Sequence, residues 1–237
     1  MSWLQLDRKS LAERSFSVPD STRVAGSLGR SVMVGMLGFT AVSLAGFAPW
    51  ALFGRWFHRR GGELGMYIAC AVVFIGLSGL CLHRLILGSG SLSRFYRLFG
   101  VAFLLYSIAW IAGWMMLRGH PGSVVGLLSG TALMAWIFVR AFEAQRHFLA
   151  VALALFLLNS AGYFLGGVLE GALMQAQSLS VLGFSVSKPT QARLAMMSWG
   201  FCYGLGFGAG LGLAFYWCQT EARTLMVERL KNASLPE

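Results

Sequence analysis

The sequence predicts an all-α protein, a polytopic integral membrane bundle of six transmembrane helices with both termini cytoplasmic. Three observations predict it. The 237 residues are 57% hydrophobic and 12% charged, with a mean hydropathy of +0.66, and that charged share is about half the usual one for a soluble domain. The apolar residues gather into six runs, each reaching the roughly 20 residues that a helix needs to cross a bilayer. The 19 lysines and arginines are scattered between those runs. Scatter of this kind excludes a nucleic-acid-binding module and suits anchoring among the headgroups of membrane lipids.

In chain order, residues 1–30 form a polar arm with no apolar signal-peptide core. Trp3, Leu4, Leu6 and Leu11 would share one side of a helix, so the arm is expected to lie at the membrane interface. Pro19, Asp20 and Ser21 read as a turn. The spans are expected at Ser31–Phe53, Leu64–Leu87, Tyr96–Leu117, Pro121–Phe142, His147–Gly171 and Ala192–Trp217. Residues 31–217 thus form the membrane domain and residues 218–237 a cytoplasmic tail that briefly continues the last helix. Most loops are short, which makes consecutive spans antiparallel neighbours. The longer stretch Ala172–Gln191, with Leu179, Val181, Leu182, Phe184 and Val186 between serines, is expected along the membrane surface.

Orientation follows from the cations. With the N-terminus inside, thirteen lysines and arginines lie on the inner side and six on the outer. The expected site is therefore a plasma membrane of the bacterial inner-membrane type. Arg55, Arg59 and Arg60, clustered on the outer side, run against that bias.

The first and fourth spans carry similar segments. Val34–Val42 and Val125–Leu133 share five of nine residues, which permits a weak inverted repeat of three spans plus three, 31–117 and 121–217.

The sixth span holds the sharpest motif. Gly200, Gly204, Gly208 and Gly212 recur every four residues and form one smooth ridge, while Gly206 and Gly210 form a second. Ridges of small residues let helix backbones approach closely. They serve packing within the bundle or contact with another membrane subunit or a second copy. Neutral polar residues lie near the span centres, among them Thr40, Ser107, Thr131 and Asn159. Asn159, Tyr163 and Glu170 fall on one helical face, a candidate solute pathway. Tyr106, Trp110 and Trp114 make an aromatic stripe that suits a planar ligand or lipid.

Other chemistries find little support. His58 and His120 fall at the outer side and His83 and His147 at the inner side, a layout that would admit two bis-histidine haems. Each except His120 adjoins an arginine, as an interfacial belt would. No cofactor is expected from these residues, with haem or a pigment as the alternative. Gly76-Leu-Ser-Gly79 is similar to the nucleophile motif of rhomboid intramembrane proteases. The likeness ends after four residues, and no base lies in reach of Ser78. Both aspartates, Asp7 and Asp20, sit in the arm, and Glu63, Glu143 and Glu170 lie near span ends. Metal-diphosphate chemistry and carboxylate relays at the bilayer centre therefore lack their groups.

Two readings of function follow. The first is a non-enzymatic helix-packing or accessory subunit of a membrane assembly, touching lipid or pigment. The second is a channel or transporter for a small neutral or apolar solute.

Overall fold

The computed structural model describes residues 4–16, 27–177, 180–181 and 184–233. Trp3, the turn expected at residues 19–21, and Leu179 and Leu182 lie outside the described residues. The helices are α1 (Arg8–Phe16), α2 (Leu28–Arg60), α3 (Gly62–Leu82), α4 (Ser91–Leu117), α5 (Gly119–Ala141), α6 (Phe148–Gln175), α7 (Lys188–Cys218) and α8 (Thr220–Ala233). Six of them, α2 to α7, are long and apolar enough to cross a membrane, and each holds most of one expected span, with α3 ending at Leu82, short of the expected Leu87. The protein is an all-α, multi-pass membrane protein.

Local chemistry sets the helix ends. Ser27 caps α2 by accepting a hydrogen bond from the Arg30 amide at 3.2 Å. At the α2–α3 reversal, Gly62 adopts φ +63°, a conformation open chiefly to glycine. Pro189 in the first turn of α7 gives up an amide hydrogen that would lack a partner there anyway.

Consecutive helices pack side by side, and α2 closes on α7, so the six spans form a ring. One end of this ring carries the α2–α3 and α4–α5 turns and is called the Glu63 end. The other carries α1 and α8 and is called the terminal end. The terminal half is filled with phenylalanine. Phe95, Phe99 and Phe103 stack down one face of α4 with centroids 5.0 and 5.3 Å apart. Phe39 of α2 meets Phe99, Phe103 and Phe207 across the ring at 4.9 to 6.4 Å.

Glycine makes the closest helix contacts. Gly204 lies on Thr40, Gly208 on Gly35, and Gly212 on Ser31 and Val32, so the first ridge of α7 faces α2. Gly206 lies on Leu158 and Gly162, and Gly210 on Leu155, so the second ridge faces α6. Hydroxyls add to the α2–α7 seam, where Ser43 donates to the Gly200 carbonyl at 2.6 Å and Ser31 to that of Gly212 at 2.9 Å. A third glycine seam was not read from the sequence. Gly122, Gly126 and Gly130 of α5 recur every four residues and face Tyr106, Trp110, Gly113 and Trp114 of α4. Of the two similar nonapeptides, one sets Gly35 against α7 and the other sets Gly126 against α4.

Two features add to the sequence reading. The arm's leucines are covered by protein. Leu4, Leu6 and Leu11 are 3%, 1% and 1% exposed, and α1 docks on α8 at the terminal end. The protein offers these apolar side chains a complete apolar surround, which a headgroup layer does not. The 172–191 stretch is shorter than expected as a loop, since α6 runs to Gln175 and α7 starts at Lys188. Between them Ser180–Val181 pairs antiparallel with Phe184–Ser185. Gln191 donates to the carbonyls of Leu173 and Ala176 at 2.5 and 2.8 Å, tying the start of α7 to the end of α6.

Candidate functional site: an aromatic chamber at the Glu63 end

The phenylalanine packing stops midway. Toward the Glu63 end the ring opens into a chamber of about 360 Å³, with a smaller cavity of about 120 Å³ beneath it. The two share Phe47, Tyr67, Cys70, Phe74, Trp110 and Tyr163 as walls. Eight of the chamber's eleven lining residues are aromatic. A chamber of this size falls in the usual range for small-molecule sites, roughly 300–1,000 Å³.

Each wall has a local cause. Tyr106, Trp110 and Trp114 recur at four-residue spacing and present one face of α4. Trp110 and Trp114 stack with centroids 6.2 Å apart and planes 4° from parallel. The Trp110 ring meets Tyr67 of α3 edge-on at 5.4 Å, and Tyr163 of α6 meets Trp199 of α7 at 5.2 Å. Ser123 of α5 and Tyr163 share a hydrogen bond of 3.1 Å, which fixes the tyrosine from behind.

The floor is polar and buried. Asn159 Nδ2 donates to the Tyr106 hydroxyl at 3.0 Å, and that hydroxyl lies 3.2 Å from the Tyr203 hydroxyl. Three helices thus meet in one hydrogen-bonded group. Asn159 Oδ1 is buried without a hydrogen-bond partner among the described residues, an arrangement that costs free energy unless a ligand or water supplies a donor.

A carboxylate sits at the mouth. Glu63 accepts from Tyr67 at 2.6 Å, from Trp114 Nε1 at 3.0 Å and from Arg118 at 2.9 Å. These bonds fasten α3 to the end of α4. Removing the carboxylate should loosen this seam. In a Cys81→Ala background, Glu63→Ala is expected to raise the rate of maleimide labelling at Cys70 roughly two- to fivefold, the range a half-exposed ion pair allows. An unchanged rate would mean that Glu63 does not hold the mouth.

The residues singled out in the sequence part company here. Tyr106, Trp110, Trp114 and Tyr163 come together around the chamber, with Asn159 behind the floor and Ser107 on the wall of the smaller cavity. Thr40 is buried in the α2–α7 seam, and Thr131 donates to its own helix at the Leu127 carbonyl, 2.7 Å away. Glu170 shares the face of Asn159 but lines neither cavity. Phe47, Trp50, Tyr67, Phe74 and Trp199 were missed as site residues. Each reads as an ordinary apolar or interfacial aromatic until the ring brings five helices together.

The four histidines each have other contacts. His83 Nδ1 donates to the Gly79 carbonyl at 2.9 Å, and His147 Nε2 accepts from Arg146 at 3.1 Å. His120 packs on Phe164 with centroids 5.9 Å apart, while His58 lines an arginine-rich groove. Among the described residues no three His, Cys, Asp or Glu side chains group as metal ligands. Ser78 donates to the Ile75 carbonyl at 2.9 Å, and His83 is engaged with Gly79, so the rhomboid-like segment has no serine–base pair.

No protein-family model, curated protein or solved structure matches the chain.

Proposed function

We propose that this membrane protein binds a small, mainly apolar molecule in the aromatic chamber and acts as a carrier or receptor for it. One observation carries the reading. A cavity with aromatic walls leads from a polar mouth to a buried Tyr106–Asn159–Tyr203 group at its floor. Apolar walls with a few convergent polar groups are the usual make-up of a small-molecule site. The phenylalanine-filled terminal half argues against an open channel, so passage to the far side would require the ring to rearrange. With the termini cytoplasmic, as the cation bias favours, the chamber loads from the outer side.

The accessory-subunit reading loses its main support, because the glycine ridges of α7 are covered by α2 and α6 of the same chain. Association with other subunits would have to use another face. The barely buried helix α3 is the leading one.

The test is an organic extract of protein purified from its native membranes, analysed by mass spectrometry beside an unrelated membrane protein in the same detergent. A specific apolar molecule near one per chain is expected. Extracts indistinguishable from the control would count against the chamber as a binding site.

A further inference from the structure

The three outer arginines that oppose the topology bias have no role in the chamber itself. Arg55, His58 and Arg59 of α2 face Arg193 of α7 across a groove of about 720 Å³. Among the described residues, none of Arg55, Arg59 and Arg193 is ion-paired. Glu63 is the one carboxylate on the groove, and Arg118 already holds it at 2.9 Å. The first turn of α7 also borders the groove at Pro189, and a helix N-terminus favours negative charge. Arg55, Arg59 and Arg193 are exposed, and an anion seated among them would offset the mutual repulsion that water and salt otherwise only screen.

The groove is not purely polar. Leu52, Met66 and Met196 make apolar walls beside the arginines. Trp50, Glu63 and Met66 line both the groove and the aromatic chamber, so the two spaces adjoin. A cationic space therefore leads directly into an apolar one.

Resting on the chamber reading above, we infer that the ligand is an anionic amphiphile. Its phosphate or carboxylate head sits among Arg55, Arg59 and Arg193, and its apolar chain passes Trp50 and Met66 into the chamber. This assignment accounts for Arg55 and Arg59 of the outer cluster and for the aromatic chamber that opens beside them. A neutral solute would need no such groove, and an organic cation would be repelled by it.

The experiment uses two probes with the same brominated chain, 11-bromoundecanoate and 11-bromoundecanol. Each is titrated at pH 8 into full-length protein in phosphatidylcholine nanodiscs, and quenching of the chamber tryptophans is read. Both should quench saturably, with the acid half-saturating at a concentration at least about tenfold lower, as interfacial arginines allow. Combining Arg55→Gln, Arg59→Gln and Arg193→Gln should bring the acid to the alcohol's value and leave the alcohol unchanged, which also shows that the variant is folded. Equal half-saturation of the two probes in the wild type would overturn the anionic head and leave the chamber standing. Absence of saturable quenching by either would overturn the chamber reading and this inference with it. Competition then separates the sources. Displacement of the acid by phosphatidylglycerol in the disc supports a membrane lipid, and displacement by added decyl phosphate alone supports a soluble single-chain amphiphile.

Discussion

Gly208→Leu and Gly206→Leu are each expected to lower the apparent melting temperature in detergent by roughly 10 °C or to prevent recovery of folded protein. A side chain at Gly208 would be driven into the Gly35 carbonyl, and one at Gly206 into the Leu158 carbonyl. Both obstacles are backbone, so no rotamer change relieves the clash. Inserting bulk into a tight core costs about 1–3 kcal/mol when side chains can yield, and about 3 kcal/mol or more is expected where they cannot. A shift of that size follows from the roughly 2–4 °C per kcal/mol seen for chains of this length. The control is Gly76→Ala, where a new Cβ has no heavy atom within 4 Å. Relieving glycine's backbone freedom there should raise stability by up to about 1 kcal/mol. If Gly208→Leu and Gly76→Ala melted alike, the close α2–α7 packing would be wrong.

Filling the chamber should have the opposite balance of effects. Cys70→Phe also replaces a small residue by a large one, but Cys70 lines both cavities. The added ring enters existing space, so the overpacking penalty does not apply. The melting temperature is expected to hold or rise, while binding falls at least about 100-fold because the ring occupies the ligand's volume. The pair of predictions separates packing glycines from chamber residues on physical grounds. Loss of stability in Cys70→Phe would mean that no such space exists.

The six spans were legible because hydropathy alone decides them. A backbone in hydrocarbon must satisfy its own hydrogen bonds, so an apolar run of sufficient length becomes a helix. The α7 glycine ridges were legible as ridges, but periodicity does not name a partner. One ridge faces the preceding span α6, but the other faces α2, which lies far away in sequence, and only ring closure decides that. The α5 glycines make a shorter ridge of three, Gly122, Gly126 and Gly130, whose partner on α4 includes the backbone of Trp110 and Gly113 and carries no matching glycine run.

The chamber was half visible. Tyr106, Trp110 and Trp114 announced themselves by spacing on one helix. Tyr67, Trp50 and Trp199 come from three other helices, and no local pattern links them. The arm's packing was hidden for a related reason. Amphipathic leucines look the same whether they meet lipid or protein, and the docking of α1 on α8 is a long-range contact. Arg55, Arg59 and Arg60 stood out in the sequence as a topology anomaly. Arg55 and Arg59 lie on the groove that the proposed anionic head would occupy, beside the chamber.

The central claim is that the Glu63 end holds a ligand chamber, and quenching of tryptophan fluorescence by 4-bromophenol tests it most directly. Four tryptophans, Trp50, Trp110, Trp114 and Trp199, line the chamber. In wild-type protein the quenching should saturate, and in Cys70→Phe it should become a weak, linear function of probe concentration. Saturation with the same midpoint in both proteins would contradict the chamber.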